Sequence, residues 1–405
     1  MLKILKKYDW KRIDVVLIFM VLSLCAIGVF AVRQAGGADK GPGYMKNQLF
    51  GIALGIVIIL IIMVMDYHFI CRFAPIYYVG GVLLTLATHT PLGNDHTTDA
   101  VRWIDLGPIT FQPSELMKVI FIIFIGWIYE RWHKKVYKIS TLVKVFLLTL
   151  IPMLAILSQP DLSSSLVVFF IMLSVAFAAG TSYRIFGWVF GITIPVLGLS
   201  LWYFTRPFSF SYKYLYENIY QFRRIVAWIN PDTQNAMDAN YQQLRSVSSI
   251  ASGKLYGKFL VDGGVGSRVY NTVYVKESDF VWSVIGEEFG FLGCLLVLIL
   301  YAILIIRCIR ISKQAQSFQG RMIAIGVAAM FVFQVFTNIS VATFMFPNTG
   351  LPLPFLSNGL SSMVSAMIGI GLVMNISIQP NKSSKGGLHL RSSYDDFYSI
   401  EDEMF

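Results

Sequence analysis

Residues 277–306 read ESDFVWSVIGEEFGFLGCLLVLILYAILII, and no further charge follows Glu288 until Arg307. The run from Phe289 to Ile306 is eighteen residues long. As a helix it measures about 27 Å, close to the ~30 Å hydrocarbon thickness of a bilayer. The stretch therefore reads as a membrane-spanning helix with three acids, Asp279, Glu287 and Glu288, at its mouth. On a helix continued back toward the N-terminus, Asp279 lies about 12 Å outward of Glu287. Glu287 then falls within about 80° of the Asp279 face while Glu288 points roughly opposite. The glutamate pair suits packing or shaping of a cavity mouth, and Asp279 stands apart from it at the outer end.

The rest of the chain agrees with a membrane setting. Of 405 residues 56% are hydrophobic and 14% charged, against about 25% charged in a soluble domain, and the mean hydropathy is +0.63. The net charge of +10 is not a nucleic-acid signature, because the basic residues fall in short loops between apolar runs. The first apolar run, 13–32, follows Lys3, Lys6, Lys7, Lys11 and Arg12 and is long enough to span, unlike the core of a cleaved signal peptide. Cys25, Cys71, Cys294 and Cys308 lie in apolar runs or at their ends, so no disulfide framework is expected.

Ten segments approach the roughly 20 apolar residues a spanning helix needs: 13–32, 47–65, 71–88, 113–129, 142–158, 162–180, 185–204, 280–306, 321–346 and 359–378. The expectation is an all-α integral membrane protein of about ten transmembrane helices with both termini cytoplasmic. Basic residues support that orientation. Arg72, Arg131, Lys134, Lys135, Lys138, Arg184, Arg307, Arg310, Lys313, Lys382, Lys385 and Arg391 fall on the inner side, against Arg33, Lys40, Lys46 and Arg102 in the short outer loops. Residues 1–380 form the membrane domain, and the polar tail 381–405 is expected to be disordered. The large loop 205–279 lies outside. In it, YLYENIYQFRRIVAWI sets Leu215, Ile219, Phe222, Val226 and Ile229 at helical spacing beside Arg223 and Arg224, which suits an amphipathic helix on the membrane surface.

Polar residues gather on the outer side. RWIDLGP (102–108) is followed by QPSELMK (112–118). Pro113 and Glu115 suit a first helical turn, and Glu115 meets Lys118 three residues on, either as a structural ion pair or facing a wet cavity. Arg102 and Trp103 suit an interfacial anchor. QPDL (159–162) places Asp161 to cap the next helix. NTGLPLPFLSNGLSS (348–362) forces an irregular backbone, tolerated at membrane depth only where it lines a cavity or packs in protein. By spacing alone the favoured role of Asp279 is an N-cap of the helix that follows it.

These motifs, with SGKLYGK (252–258) and DFVWSVIGEEFGFLG (279–293), occur in order over residues 99–371, and together they resemble the SEDS family (shape, elongation, division and sporulation; the RodA/FtsW/SpoVE type). The resemblance implies a ten-helix peptidoglycan glycosyltransferase of the bacterial plasma membrane. It would polymerise lipid II into a nascent glycan on the outer face, for elongation, division or sporulation. The implied partners are a class B penicillin-binding protein, which cross-links the product, and other elongasome or divisome membrane proteins. The family's essential aspartate falls on Asp279, in SDF where TDF is usual. Its RW pair falls on Arg102 and Trp103, its QPSE and lysine on Gln112, Ser114, Glu115 and Lys118, and its QPDL aspartate on Asp161. Lys258, Glu287, Glu288, Pro354, Ser357 and Gly359 complete the implied substrate site. The sequence departs from the family pattern at VKESDF, at Arg245, Ala251, Lys254 and Phe259, and at Asn358 and Leu360.

In this reading Asp279 is the general base for the acceptor hydroxyl. Arg102, Lys118, Arg245 and Lys258 are candidates to stabilise the departing diphosphate. A divalent cation (Mg or Mn) held by Asp279 is a further candidate for that task. The long outer segment is a candidate lid. Two other classes remain open: a flippase for a lipid-linked precursor, in which intramembrane charge and broken helices also occur, and a non-catalytic scaffold that recruits the transpeptidase.

Overall fold

A computed structural model describes residues 8–91, 93–94, 102–105, 110–205, 220–231, 234–259 and 268–379. Lys3, Lys6, Lys7, Leu215, Ile219, residues 260–267 and the tail from Pro380 lie outside the described residues. The helices are α1 Val15–Ala35, α2 Gly37–Val64, α3 Tyr67–Arg72, α4 Ala74–Leu86, α5 Pro113–Arg131, α6 Ile139–Leu157, α7 Leu162–Ala178 and α8 Tyr183–Phe204, then α9 Tyr220–Ile229, α10 Gln234–Ser252, α11 Val281–Gln314, α12 Phe318–Ala342 and α13 Leu360–Ser377. Each of the ten expected apolar segments falls on one of these helices. Seven of them (α1, α2, α6, α8, α11, α12 and α13) are long and apolar enough to cross a membrane, so the chain is a multi-pass membrane protein. Of the other three, α4 has 13 residues and α7 has 17, while α5 has 19 and carries Glu115 and Lys118.

The bundle is built around α12, which packs against α5, α7, α11 and α13. Of the apolar stretch of α12, 72% is buried, and of α13, 78%. These two helices are apolar nearly all round, as buried helices must be. By contrast only 6% of the apolar stretch of α8 is buried. α1 packs on α2 and α11, and α2 on α13. The expectation of helices throughout misses a three-stranded antiparallel sheet, β1 Gly93–Asn94, β2 Trp103–Asp105 and β3 Thr110–Phe111, with Asn94 opposite Trp103 and Ile104 opposite Phe111.

Three features differ from the sequence reading. First, α11 is not straight. Gly290 (φ 65°, ψ −162°) interrupts it, a conformation open to glycine and costly to other residues. Gly257, also at positive φ, lies against it, and a Cβ on Gly290 would meet the Gly257 amide nitrogen at 2.4 Å. Second, α9 packs on α10, with Phe222 and Val226 buried, so these two apolar side chains face protein and not a lipid surface. Third, α10 carries its polar residues inward. Asn240, Gln243, Ser246 and Ser249 are buried, while Met237, Tyr241 and Leu244 are exposed. Gln243 Nε2 donates to the carbonyls of Val341 (2.9 Å) and Phe346 (2.8 Å), and Ser246 Oγ to Ala342 (2.8 Å). α10 thereby supplies donors to the carbonyls that the C-terminal turn of α12 leaves unmet.

Candidate active site

Asp279 sits in a tight turn immediately ahead of α11. Its amide and that of Ser278 both donate to the carbonyl of Val275, at 3.1 and 3.2 Å, with Val275 at positive φ. The N-cap position of α11 belongs to Phe280, so Asp279 does not cap the helix and its half-buried side chain is left for another role. Ser278 Oγ donates to Asp279 Oδ1 at 3.1 Å. Burial holds the carboxyl above its ordinary range. The Ser278 hydrogen bond and the guanidiniums of Arg224 and Arg102 pull it back, and Glu277 pushes it further up.

The wall opposite is the connection between α12 and α13. A Cβ on Gly350 would stand 3.1 Å from Asp279 Oδ2, so the loop backbone lies directly against the carboxylate. Ser357 Oγ donates to the Ser278 carbonyl and accepts from Leu353 N at 2.8 Å. Asn358 N donates to the Glu277 carbonyl at 2.8 Å. Pro354 has a supporting place, its carbonyl accepting from the buried Tyr301 hydroxyl. Gly359 leads into α13 in extended backbone. The backbone here is irregular, as the prolines and glycines imply, and Leu351, Leu353, Phe355 and Leu356 are buried in protein.

A third piece is the turn before α7. Arg102 Nε donates to the Gln159 carbonyl (3.2 Å) and Nη2 to the Pro160 carbonyl (2.6 Å). Trp103, beside it, starts β2 and is half-buried. Asp161 caps α7 through Ser164 N at 3.0 Å. It also accepts from Ser114 Oγ (3.3 Å) and Gln112 Nε2 (3.4 Å), so it binds the entrance of α5 to that of α7. Ser163 Oγ lies 2.6 Å from the Thr349 carbonyl. α9 bridges this turn and the α12–α13 loop. Gln221 donates to the Pro160 carbonyl (3.1 Å), Arg224 to Asn348 (2.8 Å) and Trp228 to Phe344 (3.1 Å). These three residues share one helical face by their spacing.

Other expected site residues are committed elsewhere in the fold. Lys118 and Glu115 pair at 2.6 Å, with relative exposures of 0% and 1%, and form a structural ion pair inside the bundle. Lys118 is therefore not a surface cation for a leaving group. Lys258 pairs with Glu287 at 2.7 Å. Glu287 also accepts from Ser249 Oγ and from the amides of Val269 and Tyr270, each at 2.8 Å. Glu288 accepts from Arg268 Nε (3.0 Å) and the Tyr270 hydroxyl (2.8 Å). The two glutamates thus tie Ser249, Lys258 and the Arg268–Tyr270 stretch to α11. Arg245 lies over the Tyr241 ring at 5.1 Å and is exposed.

No group of three or more His, Cys, Asp and Glu side chains that would hold a metal occurs among the described residues. Asp279 offers a single carboxylate on which the positive charges of Arg224 and Arg102 act, and no step below runs through a metal ion. Sequence reasoning passed over Arg224, Ser278, Gly350 and Asn338 as site residues. Arg224 stood in the sequence only as a charge beside an apolar stripe, and the others are small or neutral residues whose importance lies in contacts across the fold.

A family model described as "Cell cycle protein", covering the FtsW, RodA and SpoVE proteins, matches residues 13–382. The chain is 30% identical over 388 residues to a probable peptidoglycan glycosyltransferase FtsW of Trichlorobacter lovleyi, covering 93% of this chain and 96% of that one. It is 29% identical over 382 residues to the peptidoglycan glycosyltransferase MrdB of Escherichia coli K12, covering 94% and 98%. Among solved structures it resembles a chain of a peptidoglycan synthase complex described for its coordination of polymerization and crosslinking, with a TM-score of 0.73, 27% identity, and 91% and 98% covered. The rod shape determining protein RodA of Thermus thermophilus matches with a TM-score of 0.64, 25% identity and the same coverage. The fold, the ordered motifs and these matches across nine-tenths of the chain agree that it belongs to the FtsW/RodA/SpoVE family of cell cycle proteins.

Proposed function

We propose that this protein is a peptidoglycan glycosyltransferase that polymerises lipid II on the outer face of the bacterial plasma membrane, with Asp279 as general base. The observation that carries the reading is the Asp279 carboxylate at the end of the bundle, held against Gly350, with the positive charges of Arg224 and Arg102 acting on it. It is supported by relatives named as peptidoglycan glycosyltransferases along almost their whole length. In the reaction the acceptor sugar hydroxyl attacks the anomeric carbon of the donor. A new C–O bond forms as the bond from that carbon to the polyprenyl diphosphate breaks, and the hydroxyl proton passes to Asp279.

A raised carboxyl pKa suits a base at neutral pH, because catalysis is best when the group titrates near the working pH. Arg102 and Arg224 bring fixed positive charge to where the diphosphate gathers negative charge. Both are anchored on backbone carbonyls, so little reorganisation is needed. The outward placement of this end of the bundle, with both termini cytoplasmic, follows from the distribution of basic residues along the chain. The cross-linking partner is a class B penicillin-binding protein. The assembly of polymerisation with crosslinking in the similar synthase complex supports that pairing.

The test is glycan synthesis by the purified protein, with its transpeptidase partner, from fluorescent lipid II. Glycan ladders that vanish in Asp279→Ala, at unchanged protein level, support the reading. Transport of the lipid across vesicles without ladders would show a flippase, and neither activity would leave a scaffold.

A further inference from the structure

Asn338 lies near the C-terminal end of α12 and is 1% exposed. Its single amide nitrogen donates to two carbonyls, that of Asp279 at 2.8 Å and that of Leu351 at 2.7 Å. The first belongs to the turn that carries the candidate base. The second belongs to the residue after Gly350, whose backbone abuts the base's carboxylate. One side chain thus ties together the two segments whose spacing determines where the carboxylate points. Asn338 Oδ1 has no hydrogen-bond partner among the described residues. Rotating the amide would turn that oxygen toward two carbonyl oxygens, so the two acceptors fix its orientation. A buried polar helix residue with one acceptor unmet is a liability for stability, which an apolar residue of like size would avoid.

We infer that Asn338 is a positioning residue for Asp279, a two-donor bracket that holds the base's turn and the Gly350 loop at the separation catalysis needs. The inference rests on the glycosyltransferase reading above. It follows from donor counting. An amide supplies two N–H donors, a serine hydroxyl one, an ionised aspartate none and an alanine none. Removing the bracket leaves two carbonyls unmet and frees the base to move. A misplacement of about 1 Å at a reacting group costs on the order of a hundredfold in rate.

The experiment uses the full chain with its transpeptidase partner. It measures initial rates of glycan synthesis from lipid II against substrate concentration and pH for Asn338→Ser, Asn338→Ala and Asn338→Asp, with Asp279→Ala in parallel and thermal stability recorded for each. The expected order of kcat is wild type, then Ser, then Ala, then Asp, with Ala lowered about tenfold to hundredfold and KM little changed. The acid limb of the Ala profile should move to lower pH as water reaches the carboxylate, since Arg102, Arg224 and Glu277, the charged groups that act on it, are unaltered. Should Asn338→Ala fail to accumulate, Asn338→Ser carries the same comparison. A wild-type kcat and acid limb in a folded Ala or Ser variant would overturn the bracket, as would a loss confined to KM. Persistent ladders from Asp279→Ala would overturn the base assignment itself, an outcome readable without reference to the Asn338 variants.

Discussion

The backbone of Gly350 lies against the carboxylate of Asp279, so closely that a Cβ would stand 3.1 Å from Oδ2. Gly350 is also at φ +71°, a region that costs other residues roughly 1–2 kcal/mol. Gly350→Ala should therefore lower thermal stability modestly and polymerisation much more, by at least tenfold, because the added methyl displaces the base. Gly191→Ala in α8, where a Cβ meets nothing within 4 Å, serves as a control that leaves glycan synthesis unchanged. Equal losses in rate at both positions would remove the special place of Gly350.

The titration of Asp279 has consequences of opposite sign for activity and stability. Its carboxyl is held above the ordinary value of 3.8, chiefly by burial. The base works only when ionised, so polymerisation should fall as pH drops through this raised value. For folding the ionised form is the penalised one. The stability present below the unfolded pKa is lost as pH rises through the folded pKa. Asp279→Asn should thus be inactive yet at least as stable as the wild type at pH 7–8, with the gap closing near pH 3.8. Melting curves across pH check this, and a variant clearly less stable at neutral pH would contradict it.

Glu115 and Lys118 are both buried and joined at 2.6 Å. Removing one partner of such a pair costs about 3–5 kcal/mol, because the other charge is left without compensation. Lys118→Met alone should collapse the protein's yield and melting temperature. Lys118→Met combined with Glu115→Gln should restore much of both, since no lone charge remains. A double variant as damaged as the single one would show that the pair does more than balance charge.

The long apolar helices among the described residues were legible because burial in lipid or in the bundle leaves a long apolar run whatever the tertiary contacts. Asp279, Arg102 and the wall around Ser357 were legible as motifs. What the sequence hid is of another kind. α10 escaped notice because its buried stripe is polar, Asn240, Gln243, Ser246 and Ser249, the inverse of the pattern by which a helix is usually found. The break at Gly290 was invisible because its cause, the approach of Gly257, lies 33 residues away in the chain. Asn338 and Arg224 matter through the carbonyls they reach on other segments, and no local spacing announces such contacts.

Lys258 is where sequence and structure divide most sharply, and two variants decide between them. The motif placed it in the substrate site. The fold gives its ammonium to Glu287 at 2.7 Å, with the lysine side chain 22% exposed and the glutamate 0%. If the pair is a clamp, its two ends are unequal. Lys258→Ala leaves Glu287 with Ser249, Val269 and Tyr270 as donors, so the loss should be about 1 kcal/mol or less, as for a partly solvated pair. Glu287→Ala strands those donors and the ammonium together, and should cost about 3–5 kcal/mol. The segment around Gly253–Lys258 would then loosen and become open to limited proteolysis. Melting temperature, protease pattern and glycan synthesis, measured together on both variants, separate the two roles. A Lys258→Ala protein that melts and resists protease like the wild type, yet makes no glycan, would return Lys258 to the substrate site. A protein that keeps most of its synthesis, beside a destabilised Glu287→Ala, fixes it as part of the clamp.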